Sequence, residues 1–193
     1  MKYLLMIGMI LLVQNRISSQ DLTFTEIKNA VVDNDKYDIQ SNTSRMALFY
    51  RPSFDWSNFH KILLERRFVF IEANKDLGSE IWAFNYNKEH RTASIWIYLN
   101  SDYYDKSNDT ISAQIFHKGI EMTFSANDYN YNYLEDKIKQ LCTFKKAAYR
   151  DIDNAYQRIY LHHDGLVFTL WTDIKNNTNH IYLSHSKESQ VRK

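Results

Sequence analysis

The first helix that the apolar pattern predicts begins just after residue 20. Thr23 and Glu26 have the spacing of a capping box, and apolar residues follow them three and four positions apart. The pattern predicts a helix over residues 21–33. A polar stretch without periodicity follows it, and residues 45–50 then predict a strand that ends before the proline.

From residue 53 onward, one order of elements occurs twice: a helix, three strands, then a fourth strand. In the first copy the predicted helix covers residues 55–67, and the predicted strands cover 68–71, 81–86 and 93–99. Residues 111–124 then predict a further strand or a hairpin about Lys118 and Gly119. In the second copy the helix begins near residue 127, and the strands cover 143–149, 156–161, 166–172 and 180–185. This order predicts an internal duplication, although few residues are identical between the copies.

Each predicted helix has one apolar face, which must be buried against a sheet face. The fold class predicted is therefore α+β: two tandem units, each a helix plus an antiparallel meander, forming a two-layer body. They would pair as one long sheet or as two packed lobes. The chain divides into an N-terminal helix and extension (20–52), the first unit (53–125), the second unit (126–186) and a disordered tail (187–193).

The extreme N-terminus has the features of a secretory signal peptide. A positive start precedes an apolar run over residues 3–13, which is shorter than the roughly 20 residues that span a bilayer. Small residues follow, and we place cleavage after Ser19, so that residues 1–19 are removed. No cysteine lies near the cut, which excludes a lipid anchor on cysteine. The expected location is secreted or periplasmic, without a membrane span after cleavage.

Composition limits the partners and the chemistry. The 193 residues are 44% hydrophobic and 24% charged, as in a globular protein. Loss of Lys2 and Arg16 with the signal takes Lys+Arg from 24 to 22 against 23 Asp+Glu, a formal charge of −1. No basic run resembles a nucleic-acid footprint, so we expect no nucleic-acid partner. Cys142 is the only cysteine, and its place on an apolar helix face predicts a buried hydrophobe.

Motifs for common enzyme chemistries are missing from the sequence. There is no nucleophile elbow, zinc-protease helix, Cys-x-x-Cys pair or phosphate loop, and the few glycines are scattered. We expect no cofactor and no catalytic residues. The residues that most resemble a metal site are His162, His163 and Asp164. Adjacent strand residues point to opposite faces, however, so we interpret them as exposed turn histidines and expect no metal.

Tyrosine alternates with asparagine and serine in two stretches, around Tyr103 and Tyr104 and around Tyr129 and Tyr131. This composition is typical of adaptable binding loops, because the ring supplies contact area at low entropic cost. These four tyrosines are the predicted ligand-binding residues. Other aromatic residues have strand spacing and are predicted to lie in the core: Trp82, Phe84, Tyr86, Trp96 and Tyr98.

The chain resembles small exported proteins of unknown function that are common in Bacteroidetes. The resemblance rests on the Ser18-Ser19-Gln20 step and on two helix-then-strand stretches, residues 59–70 and 133–144. It extends over most of residues 53–185 and implies export without implying an activity.

The sequence therefore favours an exported, non-enzymatic binding module for a protein or a glycan at the cell envelope. The alternative is a small secreted hydrolase or a metal-binding protein that uses residues near the 162–165 turn. The oligomeric state stays open.

Overall fold

The computed structural model of the chain describes residues 21–41, 56–74, 79–100, 119–150 and 155–185. The predicted signal peptide, the predicted strand at 45–50, Tyr103, Tyr104 and the predicted C-terminal tail lie outside these residues. Within the described ranges, no helix is both long enough and apolar enough to cross a membrane.

Helices and strands follow the order expected for an α+β fold. The helices are α1 (Phe24–Ser41), α2 (Ser57–Glu65) and α3 (Tyr129–Leu141). The first four strands are β1 (Val69–Asn74), β2 (Ser79–Phe84), β3 (Ile95–Asn100) and β4 (Gly119–Ser125). The last four are β5 (Thr143–Arg150), β6 (Ala155–Leu161), β7 (Leu166–Asp173) and β8 (Thr178–His185).

All eight strands form one antiparallel sheet in the order β1-β2-β3-β4-β8-β7-β6-β5. Each half is a meander that follows one helix, and the two meanders join where β4 pairs with β8. Of the two arrangements left open by the sequence, the structure adopts the single long sheet. Among the residues that the structure describes, β1 and β5 are therefore the edge strands.

The core lies between the sheet and the helices. Phe59 and Leu63 of α2, and Leu134 and Ile138 of α3, are buried in one cluster with alternate residues of the strands, such as Ile97. Spacings of three and four residues place these side chains on one helix face, and alternation places one strand face beneath them. Both halves therefore contribute to one core.

α1 begins as its sequence predicts. The Thr23 hydroxyl accepts from the backbone N–H of Glu26 (3.2 Å), and the Glu26 carboxylate accepts from the backbone N–H of Thr23 (2.7 Å). This reciprocal pair is the capping box. The helix continues to Ser41, eight residues beyond the predicted end.

The two edge strands share an irregularity. In β1, pairing with β2 shifts between Phe70 and Glu72, and in β5, pairing with β6 shifts between Phe144 and Lys146. Such bulges increase the local twist of the strand and leave one residue without a partner in the ladder of hydrogen bonds.

Candidate functional site

Exposed apolar side chains are concentrated on α3, β5 and β6. Nine large apolar side chains are exposed among the described residues, and five of them lie on these three elements. They are Tyr129 (73% exposed), Leu141 (51%), Phe144 (55%), Tyr149 (49%) and Tyr156 (72%). We call these five residues the β5 surface. A concentration of this kind marks a binding surface more often than isolated apolar residues do.

The position of β5 at the sheet edge explains this exposure. Phe144 lies opposite Tyr160, which is buried in the core, so Phe144 points to the helix-bearing side of the sheet. Tyr149 lies opposite Tyr156 on the same side. The rings meet edge to face, at 5.5 Å for Phe144 and Tyr160 and 5.1 Å for Tyr149 and Tyr156. The rings on β5 therefore remain largely exposed on the side where the inner strands are buried.

Tyr129 lies at the same end of the second half as Tyr149. Only Cys142 separates α3 from β5, so the chain turns back and β5 runs antiparallel to α3. A hydrogen bond supports this alignment, because Arg158, paired with Ala147 in β5, donates to the Tyr131 hydroxyl (3.3 Å). The start of α3 is thus brought toward the end of the β5–β6 hairpin.

Tyr131, two residues after Tyr129, lies in the core. It is 4% exposed, and its ring packs against Phe124 at 5.6 Å. Burial, assisted by the nearby Glu135 carboxylate, raises the pKa of Tyr131 to about 12. Residues two apart on a helix point in widely different directions, so the structure does not bring Tyr129 and Tyr131 together. Tyr131 therefore does not belong to the β5 surface.

Sequence reasoning missed Phe144, Tyr149 and Tyr156. Their apolar character is visible in the sequence, but their exposure depends on β5 being the last strand of the sheet. For Tyr131 a usable signal existed: it precedes Leu134 and Ile138 at helical spacing, on the face that α3 buries.

The β5 surface is bordered by positive charge. Lys145 and Lys146 are exposed and have no acidic partner among the described residues, and neither β5 nor β6 contains an acidic residue. Glu135 of α3 is already engaged, with Arg158 at 2.5 Å and Lys139 at 3.1 Å.

The 162–165 turn brings two imidazoles together, contrary to the argument from strand alternation. His162 and His163 lie in the β6–β7 turn, and their ring centroids are 4.0 Å apart. With Asp164 they offer three ligand atoms within 4.8 Å of one another. Asp164 and Gly165 form the tight turn between β6 and β7, with Gly165 at a φ of 81°.

The groups in this turn already have partners. His162 is 4% exposed, and its Nδ1 accepts from the backbone N–H of Asp164 (3.2 Å). Lys28 of α1 holds the Asp164 carboxylate at 2.8 Å. A metal ion bound at the His162 Nδ1 would have to displace the amide, and the Lys28 ammonium beside Asp164 would repel it. The geometry therefore favours a structural role, in which the turn anchors α1.

Another histidine, His180, lies with its contacts on the sheet face opposite the helices. The His180 ring stacks on Trp171 at 4.7 Å, and its two nitrogens lie 3.0 Å from the hydroxyls of Thr123 and Thr178. Both nitrogens are engaged, so this cluster fixes the central strands in register. Trp96 of β3, predicted to lie in the core, is on this same face and only partly buried.

The single thiol lies at the junction of α3 and β5. Cys142 is partly buried, and burial raises its pKa to about 11. A thiol with a raised pKa carries little thiolate and is a poor nucleophile.

The chain matches no protein-family model, no curated protein and no solved structure.

Proposed function

We propose that the protein is an exported, non-enzymatic binding module whose partner is another protein, held at the β5 surface. The observation that carries the proposal is the exposure of Tyr149 and Tyr156 beside the edge of β5, together with that of Tyr129 at the start of α3. Tyrosine supplies large contact area with few rotatable bonds, which suits a surface built for recognition.

A protein partner fits this surface better than a glycan. An edge strand offers backbone N–H and C=O groups at regular spacing, and another polypeptide is the natural complement of that pattern. A glycan would use the rings and leave the backbone groups of β5 to water.

Export and internal duplication are parts of the same proposal. Export is supported by the charge and hydrophobic pattern of residues 1–19. Duplication is supported by the repeated order of helix and four strands and by the matching bulges of β1 and β5.

The test compares two variants as baits for envelope and culture-supernatant fractions. The first is Tyr129→Ser/Tyr149→Ser/Tyr156→Ser, made in residues 20–193. The matched control removes exposed apolar groups at the opposite edge, Leu64→Ser/Phe70→Ser (61% and 48% exposed). Quantitative mass spectrometry measures what each bait retains relative to the wild-type chain.

We expect a protein retained at stoichiometric amounts by wild type and by the control, and at least about tenfold less by the tyrosine variant. Circular dichroism should show that all three chains keep their secondary structure, because each substituted side chain is about half exposed or more. Retention that is equal in all three, a glycan as the sole bound species, or no retained species at all would each contradict the proposal.

A further inference from the structure

The edge of β5 combines length, charge and exposed rings in a way that indicates what it binds. Within the described part of the chain, β5 ends the sheet and is eight residues long, whereas the opposite edge strand β1 has six. A long free edge is a template for pairing with another chain. The backbone N–H and C=O groups of β5 can therefore contribute to binding, in addition to the side chains of the β5 surface.

Charge opposes pairing with a second copy of this chain. Lys145 and Lys146 are exposed on β5, and neither β5 nor β6 carries an acidic residue. Two β5 edges would bring four lysines into one small interface. Lysine on an edge strand is a common way to prevent self-association. The same lysines attract a segment of opposite charge.

The exposed rings add a second requirement. Phe144 and Tyr149 point to the same side of β5, with Tyr156 beside them. In an added strand, alternate side chains would lie over these rings while the others face the opposite side of the sheet. An apolar or aromatic residue at every second position fits this arrangement.

We propose that β5 binds an extended acidic segment of a partner protein as a ninth strand, with alternate apolar side chains of that segment on Phe144, Tyr149 and Tyr156. This inference rests on the proposed function, since it names the chemistry of the partner at the same surface. The backbone supplies the affinity, the rings select apolar residues at alternate positions, and the lysines select acidic ones.

The experiment uses a phage-displayed library of random twelve-residue peptides, selected on residues 20–193. We expect the recovered peptides to be enriched in Asp and Glu, with apolar residues alternating. Binding of a synthetic copy should fall at least about tenfold in Lys145→Glu/Lys146→Glu, and weaken as salt is added. A charge reversal at the other edge, Glu72→Lys, should leave binding within about twofold, because β1 lies at the opposite end of the sheet from β5.

Backbone pairing is tested on the peptide, so the protein fold is not at risk. Methylation of the peptide nitrogens at one alternating set of positions should abolish binding, and methylation of the other set should not. Equal effects of both sets, no acidic enrichment, no recovered binders, or a concentration-dependent dimer that Lys145→Glu/Lys146→Glu strengthens would overturn the inference. Peptides that depend on Tyr149 and Tyr156 but tolerate both methylation patterns would overturn it while leaving the proposed function standing.

Discussion

In both halves of the sheet, an aromatic pair joins the edge strand to its neighbour, but the residues of the pair differ. In the first half, Phe70 of β1 packs edge to face on Trp82 at 5.4 Å. In the second, Phe144 of β5 packs edge to face on Tyr160 at 5.5 Å. Each pair immediately precedes the bulge in its edge strand. The shared feature is an aromatic pair that closes the edge of the core.

The ion pairs beside these rings have opposite polarity. In the first half, His60 of α2 lies 2.6 Å from Glu80 of β2, which stands two residues before Trp82. In the second, Glu135 of α3 lies 2.5 Å from Arg158 of β6, two residues before Tyr160. The partners occupy corresponding positions in the two halves, with the acidic residue on the strand in the first and on the helix in the second.

The halves differ most at their free edges. β1 carries an acidic residue, Glu72, whereas β5 is longer and carries two lysines. The helix of the second half is also longer: α3 has 13 residues, whereas α2 of the first half has nine. Since the interior is similar on both sides, these differences concern the surface, and the surface is where binding specificity is expected.

The largest expected effect tests whether the halves share one core. Phe168 faces Tyr160 across the β6–β7 pair as Ile97 faces Trp82 across the β2–β3 pair, and both are fully buried. We expect Phe168→Ala to cost about 3–5 kcal/mol and Ile97→Ala about 2–5 kcal/mol, through lost burial and a residual cavity. Urea denaturation followed by fluorescence and circular dichroism should show one shared transition in each variant. Two separated transitions would mean that each half unfolds on its own.

A smaller effect is expected where the halves meet. A Cβ on Gly119 of β4 would lie 2.5 Å from the Leu183 carbonyl oxygen and 2.9 Å from the Tyr182 ring. A backbone oxygen cannot yield as a flexible side chain can, so we expect Gly119→Ala to cost about 1–3 kcal/mol. Ser184→Ala, at the paired position in β8, is the control and should change stability by less than about 0.5 kcal/mol. Thermal denaturation compares the two variants. Equal melting temperatures would show that the junction accepts a Cβ at residue 119 without strain.

The sequence predicts much of this organisation, because the local signals agree. Apolar spacing locates α2 and α3 and most strands within about two residues, and the Thr23 capping box locates the start of α1. The pairing of β4 with β8 was not predictable, because alternation within a strand says nothing about its neighbour. The same limit hid the β5 surface. α3 is capped by Asp128, whose side chain accepts from the backbone N–H of Asn130.

The reversed ion pairs should differ in strength. Glu135 is 15% exposed and has two cationic partners, whereas His60 and Glu80 are 28% and 30% exposed and make their contact without hydrogen-bond alignment. We expect Glu135→Gln to cost about 1–2 kcal/mol and His60→Gln less than about 0.5 kcal/mol. Urea midpoints measured at pH 7 provide the comparison. Equal costs would show that exchanging the charges has no energetic consequence.

The smallest effect concerns the ion pairs that join α1 to each half. Glu26 pairs with Arg66 beside the first half (2.7 Å), and Lys28 pairs with Asp164 in the second (2.8 Å). Hydrogen bonds from Thr23 and Arg66 outweigh burial and lower the pKa of Glu26, and the hydrogen bond from Lys28 lowers that of Asp164. Both groups are charged in the folded chain at pH values where they begin to protonate in the unfolded chain. Their contribution is therefore complete above about pH 5 and is lost as the pH falls through their lowered values.

Burial lowers the pKa of His162 as well, so the loss of stability should begin already below its ordinary value of 6.5. Burial raises the pKa of Asp21 and Asp128, which gives a contribution of the opposite sign and reduces the net slope near pH 4. Melting temperatures measured from pH 3 to pH 8 should fall toward acid, and Glu26→Gln and Asp164→Asn should each flatten part of that fall. If only Asp164→Asn flattens it, α1 is held through the second half alone, and the two attachments are unequal in the way the two edges are. If neither does, the acid sensitivity arises elsewhere and α1 is held by its apolar face.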